Sequence, residues 1–271
     1  MFLTVVAICF QTPLINSCEM TATVSSEILT VEQKESVVSL TLNRPDKCNA
    51  LNAKLCSALI EACESLNNDV EVVILRGNGL HFCAGADLKE LCGADRREVE
   101  RAIQFQIDAC HALASLPQPT IAIIQGKCYG GGAFLSLYCD LRIGCIGVEF
   151  ALPEVRFGWI PPYGLERMMV ALPRSFGLEM LLSGRTCGDA EALEKGWIHS
   201  LVENSDIQSS FLDRVLQLSR EPFVDTVSLM QDKDPERMRQ ADLHSLQLFL
   251  RHFHTNYARS ELNNYFDRRR G

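Results

Sequence analysis

Short apolar runs recur along the first half of the chain, and each ends in residues that break regular structure. Residues 37–42 are β-branched and aliphatic, lie in a strand-like segment, and stop at the turn-forming residues 43–46. A second apolar run stops at Gly77, and a third leads into Gly126. The pattern predicts four strands, over residues 28–42, 70–75, 120–125 and 141–143.

Between these runs the apolar residues fall at helical spacing. Leu55, Leu59, Ala62 and Leu66 recur every three or four residues, and Asn52 can cap the helix that they predict. The same spacing predicts a helix over about residues 96–116 and a short one from residue 130 to 138. Alternating helices and nearly continuous apolar strands indicate an α/β fold with a largely parallel sheet that is buried on both faces.

Helical patterns dominate beyond Glu154. Residues 167–172, 175–182, 189–195, 207–219 and 236–253 carry them, and no linker or internal repeat separates this region from the core. Residues 1–19 stand apart: their apolar run has no Lys or Arg before it and is shorter than the about 20 residues of a membrane-spanning helix. We predict an extension over 1–19, an α/β core over 20–203 and a helical region over 204–271, without a membrane span.

Composition and charge narrow the class of protein. The 271 residues are 47% hydrophobic and 22% charged, which excludes a disordered chain. A net charge of −8 argues against binding to nucleic acid, because nucleic-acid-binding domains carry a basic surface. The 12 cysteines are scattered without a C-x-x-C pair, so we expect no metal site and no disulfide framework. Free cysteines packed as small hydrophobes indicate a reducing, cytoplasmic setting.

Two segments rich in small residues follow predicted strands. Gly130, Gly131 and Gly132 open a predicted helix, and residues 82–90 include Ala84, Gly85 and Ala86. Backbone N–H groups at such turns are unpaired and suit a negatively charged oxygen. Because the carboxyl ends of parallel strands meet at one sheet edge, the two turns together predict a pair of donors for one carbonyl oxygen.

These residues carry a resemblance to the crotonase superfamily, the enoyl-CoA hydratase/isomerase family. The matching motifs keep the order and spacing of that family across residues 27–203. They are residues 43–45, 49–51, 82–90, 130–132 with 139–140, 152–154, 182–185 and 190–196.

The resemblance implies a crotonase-like fold of repeated ββα units with C-terminal helices that assemble a homotrimer or a dimer of trimers. It also implies an acyl-CoA substrate whose carbonyl oxygen lies between the N–H groups of Ala86 and Gly131, and no cofactor beyond the CoA of the substrate. The implied substrate-binding residues are Lys47, Cys48, Ala50, Ala84, Gly85, Asp87, Leu88, Gly130, Phe134 and Tyr163.

Glu154 matches a catalytic glutamate of the family, but its second glutamate is replaced by Phe134. Hydratases use two carboxylates to position and activate water, and Phe cannot do so. The site is therefore similar to the single-glutamate enoyl-CoA isomerases, in which one carboxylate moves a proton from C2 to C4. Hydration by Glu154 alone and decarboxylation of an acyl thioester are alternatives on the same scaffold. A further alternative is a catalytically idle acyl-CoA-binding subunit, and Tyr163 is either a donor to the acyl group or a packing residue.

Overall fold

A computed structural model describes residues 21–25, 27–67, 69–203 and 235–268. The helices are α1 (Ala53–Glu64), α2 (Leu88–Leu91), α3 (Arg96–Ala114), α4 (Gly131–Leu137), α5 (Leu165–Ala171), α6 (Arg174–Ser183), α7 (Asp189–Glu194), α8 (Pro235–Phe253) and α9 (Asn256–Asp267). The strands are β1 (Thr21–Ser25), β2 (Leu29–Lys34), β3 (Val37–Leu42), β4 (Val72–Gly77), β5 (Thr120–Ile124), β6 (Lys127–Tyr129), β7 (Leu141–Cys145), β8 (Glu149–Ala151), β9 (Thr186–Gly188) and β10 (Ser200–Val202).

Within the described residues, the main sheet has seven strands in the order β1-β2-β3-β4-β5-β7-β10. The pairs from β3 through β4, β5 and β7 to β10 are parallel, whereas β1, β2 and β3 pair antiparallel. A second sheet has the order β6-β8-β9. The predicted α/β class with a largely parallel sheet is confirmed.

The segment over residues 28–42 folds differently from the single strand that its apolar pattern favours. It is a hairpin of β2 and β3 with the register Leu29↔Leu42 to Lys34↔Val37. Glu35 makes the reversal possible with a φ of 53°, a left-handed conformation that side chains rarely adopt. Glu35 is charged and lies in an exposed turn. The pattern of apolar residues over 28–42 therefore does not predict the turn.

Both faces of the main sheet are covered by apolar side chains. All five residues of β5 are buried, as expected for a central parallel strand. One face packs on α1 and α3, and the other carries a smaller cluster that includes Ile74, Ile121 and Ile143. This packing fixes the position of β4, which precedes residues 82–90, whereas residues 130–132 follow β6 of the second sheet.

Helices α8 and α9 pack onto the core. Helix α8 contacts α3 and α5, and α9 contacts the short 3₁₀ helix Pro153–Phe157. The predicted extension over 1–19 and the predicted helix over 207–219 lie outside the described residues. Within the described part of the chain, no helix has both the length and the apolar character needed to span a membrane.

Candidate active site

The segment after β4 is held between two neighbouring stretches of backbone. Cys83 forms a parallel bridge with Cys128, and Ala86 forms one with Leu51. The N–H of Tyr129 also donates to the Cys83 carbonyl at 3.0 Å. Residues 83–86 therefore run beside β6, which leads directly into the glycine triplet.

Close contact between the two small-residue segments requires glycine. A Cβ on Gly85 would lie 3.2 Å from the backbone nitrogen of Gly131 and 2.8 Å from the carbonyl oxygen of Tyr129, and Gly85 has a φ of +92°. Among the described residues, nothing accepts a hydrogen bond from the N–H of Ala86 or of Gly131. Two free donors thus lie on adjoining segments. The glycine triplet follows β6 of the second sheet, however, and not β5 of the main sheet, the strand after which the sequence pattern predicted it.

Glu154 brings a buried carboxylate to the same place. It belongs to the 3₁₀ helix Pro153–Phe157, and the residue is only 8% exposed. Its Oε2 atom has no hydrogen-bond partner among the described residues. Burial without a cationic partner raises the pKa of Glu154 from 4.5 to about 7. A carboxyl group with this pKa exchanges protons readily at neutral pH.

The carboxylate and the two free N–H groups line one cavity of about 70 Å³. The remaining surface of this inner cavity is mostly apolar, and Phe249 of α8 forms part of it together with Trp159. The two rings pack edge to face with centroids 5.6 Å apart. The described residues that line the inner cavity are Ala84, Gly85, Ala86, Leu88, Leu91, Ile103, Gln106, Gly130, Gly131, Pro153, Glu154, Phe157, Trp159, Pro162 and Phe249.

A larger groove of about 640 Å³ adjoins the inner cavity, with which it shares Ala84, Ala86 and Leu88. It is lined by six of the predicted substrate-binding residues: Lys47, Cys48, Ala50, Ala84, Asp87 and Leu88. Among the described residues, four further cations also line it, namely Lys89, Lys127, Arg156 and Arg268, so that with Lys47 five cations stand against the three carboxylates of Asp46, Asp87 and Glu261. An anionic ligand would therefore find local positive charge here, although the whole chain is acidic.

Arg44 links two segments of the chain beside the groove. Its guanidinium donates to Asp87 Oδ2 at 2.8 Å and to the carbonyl of Ala50. Asp87 in turn accepts from the N–H of Lys89 and caps α2. Arg44 thereby joins the chain before α1 to the end of the segment that holds Ala86. Arg44 does not line the groove, whereas Lys47 does.

Phe134 and Tyr163 lie behind the inner cavity. Both are fully buried, their ring centroids are 5.8 Å apart, and neither lines the cavity. The Tyr163 hydroxyl donates to Gln106 Oε1 at 3.1 Å. It also lies against Gly131, where a Cβ would approach it to 2.6 Å. The aromatic pair supports the backbone that carries one of the free donors.

The sequence motifs do not include several of the residues that line the inner cavity. Gln106 lies in the buried face of α3, Trp159 follows the 3₁₀ helix, and Phe249 comes from α8. Each is an ordinary amphipathic-helix or loop position in the sequence. Only the fold brings them to Glu154.

The fold and this site define a protein of the crotonase type. A model of the family described as enoyl-CoA hydratase/isomerase matches residues 32–270. The chain therefore belongs to the enoyl-CoA hydratase/isomerase family.

Individual relatives agree with this assignment. The chain is 32% identical to a probable enoyl-CoA hydratase (echA8) of Mycobacterium bovis over 184 residues, 67% of this chain and 71% of that protein. It is 33% identical to the mitochondrial methylglutaconyl-CoA hydratase of Mus musculus over 195 residues, 70% of this chain and 62% of that protein. The crystal structure of an enoyl-CoA hydratase from Bacillus halodurans has the same fold, with a TM-score of 0.78, 23% identity and coverage of 88% and 99%.

Proposed function

We propose that this protein is a 3,2-enoyl-CoA isomerase. Glu154 removes a proton from C2 of a 3-enoyl-CoA and returns it at C4, so that the C3–C4 double bond moves to C2–C3. In the intermediate dienolate, negative charge develops on the thioester oxygen, where the N–H groups of Ala86 and Gly131 donate to it. The atoms balance within the substrate, so the reaction uses no group beyond its CoA.

One observation carries this proposal: Glu154 is the single acidic side chain among the described residues that line the inner cavity. Isomerisation needs one group that first accepts and then gives back a proton. A pKa of about 7 suits both halves of that cycle, because neither protonation state is strongly disfavoured at neutral pH. The position of a second glutamate is filled by Phe134, which cannot orient water.

Hydration of a 2-enoyl-CoA is the second candidate. It is favoured by the relatives, since the M. bovis and M. musculus proteins are named as hydratases. With Glu154 as the one carboxylate, a water molecule in the inner cavity would lack its second acidic partner. We therefore expect hydration to be slow compared with isomerisation.

The CoA part of the substrate is proposed to bind in the larger groove, where Lys47 and the other lining cations face its phosphates. We also propose assembly as a homotrimer or a dimer of trimers, which light scattering of the full chain would test. The ten cysteines in the described part of the chain are free, in keeping with a reducing, cytoplasmic setting.

The test is a product assay with the full-length protein and three substrates. A 3-enoyl-CoA should yield the conjugated 2-enoyl-CoA, followed by ultraviolet absorbance and mass, while crotonyl-CoA gains water slowly and methylmalonyl-CoA retains its carboxyl group. Glu154→Gln should lower kcat by about 10²-fold or more, the scale of general acid–base catalysis. Glu194→Gln, at a residue whose side chain is 70% exposed, is the matched control and should retain activity.

The other outcomes each contradict isomerisation. Faster hydration than isomerisation would select the second candidate, and loss of CO₂ from methylmalonyl-CoA would select a decarboxylase. Tight acyl-CoA binding with no turnover on any substrate would indicate an idle binding subunit.

A further inference from the structure

The buried face of α3 contains a carboxamide among apolar side chains. Gln106 is only 2% exposed, and its neighbours on that face include Ile103 and Ile107. Gln is rare at such positions, because burying an amide is unfavourable unless its polar atoms find partners. The position of Gln106 therefore calls for a partner at each end of the carboxamide.

One end of that carboxamide is satisfied by the protein. Its Oε1 atom accepts from the Tyr163 hydroxyl at 3.1 Å, and both atoms pack against Gly131. The other end is not: among the described residues, nothing accepts a hydrogen bond from Gln106 Nε2. Gln106 lines the inner cavity. A fixed amide donor is thus available to a ligand in that cavity.

The other polar groups of the inner cavity already have tasks in the proposed reaction. Ala86 and Gly131 donate to the thioester oxygen, and Glu154 moves the proton. Isomerisation of a plain hydrocarbon chain gives Gln106 Nε2 no acceptor. A hydrogen-bond donor left unpaired in the bound state would weaken binding of such a substrate.

The charge of the inner cavity restricts what the acceptor can be. Its described lining includes the Glu154 carboxylate and contains no Lys, Arg or His. A second carboxylate in this small apolar space would be repelled by Glu154 and would find no cation. A neutral oxygen is not repelled by Glu154 and needs no cation.

We propose that Gln106 Nε2 donates a hydrogen bond to a neutral hydroxyl oxygen on the acyl group, so that this enzyme acts on hydroxyl-bearing acyl thioesters. The proposal rests on the proposed function only in taking an acyl-CoA as the ligand. Gln106 is then a specificity-determining residue, and it takes no part in the proton transfer by Glu154.

The test measures binding of saturated acyl-CoA ligands, which have no double bond to move, by calorimetry on the full-length protein. Butyryl-CoA is compared with 3-hydroxybutyryl-CoA, 4-hydroxybutyryl-CoA and succinyl-CoA, whose acyl groups differ in the oxygen they carry. At least one hydroxyl ligand should bind about two- to tenfold more tightly than butyryl-CoA, the scale of one hydrogen bond. Succinyl-CoA should bind more weakly than butyryl-CoA.

Two variants assign that preference to the amide. Gln106→Met keeps the length of the side chain and removes the donor, so the hydroxyl preference should disappear. Tyr163→Phe removes the hydroxyl at the other end of the same pair and should keep the preference. Hydroxyl ligands that bind no better than butyryl-CoA to the unaltered protein would overturn the proposal even if Gln106→Met did not fold. So would a preference that survives in folded Gln106→Met, or succinyl-CoA that binds best.

Because these ligands are inert to isomerisation, the result is independent of the activity assay. A hydroxyl preference without isomerase activity would support Gln106 and reject the isomerase. Isomerase activity without the hydroxyl preference would support the isomerase and reject the role proposed for Gln106.

Discussion

The Oε1 atom of Glu154 lies directly against Gly130: a Cβ added to that glycine would be 2.9 Å from the carboxylate oxygen. Gly130 also has a φ of +49°, in the region that side chains rarely occupy. The N–H of Gly130 donates to the Ala151 carbonyl at 2.8 Å, which ties the glycine turn to the strand that precedes Glu154. The acid and the adjacent donor turn are therefore positioned together.

Gly130→Ala should disturb this arrangement and lower activity. The new methyl group must displace the Glu154 carboxylate. The φ of 49° and ψ of −122° at Gly130, a combination that side chains rarely adopt, add about 1–3 kcal/mol of backbone strain. We expect kcat for isomerisation to fall about tenfold or more, since small misplacements of a reacting group are costly.

Gly188→Ala is the matched control for that change. Gly188 has a φ of −86°, and a Cβ there would meet nothing within 4 Å. This variant should keep both its kcat and its free energy of unfolding. Equal activity of the two alanine variants would contradict the close contact between Gly130 and Glu154.

The raised pKa of Glu154 predicts opposite effects of pH on activity and on stability. Activity should rise with pH through about 7, because the carboxylate is the base. The free energy of unfolding should fall over the same window, since between pH 4.5 and 7 the folded protein holds a proton that the unfolded chain releases.

Glu154→Gln removes this titrating group. Comparing the variant with the unaltered protein therefore measures how Glu154 changes the free energy of unfolding with pH. A shift from 4.5 to about 7 corresponds to about 3 kcal/mol. The stability of the variant relative to the unaltered protein should therefore increase by about that amount between pH 4 and pH 8 in urea unfolding. A difference that stays constant with pH would show that the carboxyl group titrates normally.

The elements with strong local signals were predictable from sequence. Asn52 caps α1 as predicted, with its side chain accepting from the N–H of Leu55 at 2.9 Å. The boundaries of β5 and α3 differ from the predicted ones by one or two residues. In each case a long apolar pattern and a local stop signal point to the same structure.

Short elements and distant contacts were not predictable in this way. Strands β6, β8 and β9 have three residues each, too few for an alternating pattern to be recognised. Helix α9 lies within the predicted helical region over 204–271, but its own bounds were not predicted. The motifs located Glu154 and Gly131, but Phe249 and Gln106 come from elsewhere in the chain. Their positions in the cavity depend on tertiary packing, which leaves no local trace in a single sequence.

Phe134→Glu tests whether a second carboxylate alone would make a hydratase of this chain. Phe134 is fully buried, and a Cβ on Gly164 would lie 2.4 Å from its Cδ1 atom, so the ring fills its space tightly. A glutamate there would lose this packing and gain no partner, which should lower the free energy of unfolding by about 4 kcal/mol or more. We expect no gain of hydration.

Phe134→Leu is the control for that substitution. It keeps an apolar side chain and should cost about 1–2 kcal/mol, with isomerisation retained. Urea unfolding and the hydration of crotonyl-CoA provide the two readouts. A folded Phe134→Glu protein that hydrates crotonyl-CoA rapidly would place the new carboxylate in the cavity and contradict the packing described above.

The hydrogen bonds of Asp242 predict that the inner cavity depends on the packing of α8 against the core. This buried carboxylate accepts from the Gly164 N–H at 2.7 Å, from the Tyr138 hydroxyl at 2.6 Å and from His111 Nε2 at 2.9 Å. Phe249, on the same helix, lines the inner cavity. Loss of the Asp242 contacts should therefore loosen both the helix and one wall of the cavity.

Asp242→Asn turns one of the accepting oxygens into a donor that faces another donor. We expect the free energy of unfolding to fall by about 2–4 kcal/mol and the KM for acyl-CoA to rise. Asp108→Asn is the control, because Asp108 also joins α3 to α8, accepting from Arg239 at 2.7 Å, but its side chain is 33% exposed. Such a partly exposed ion pair contributes about 0–1 kcal/mol, so that variant should behave almost like the unaltered protein. Equal urea unfolding of the two variants would mean that the buried contacts of Asp242 do not hold α8 against the core.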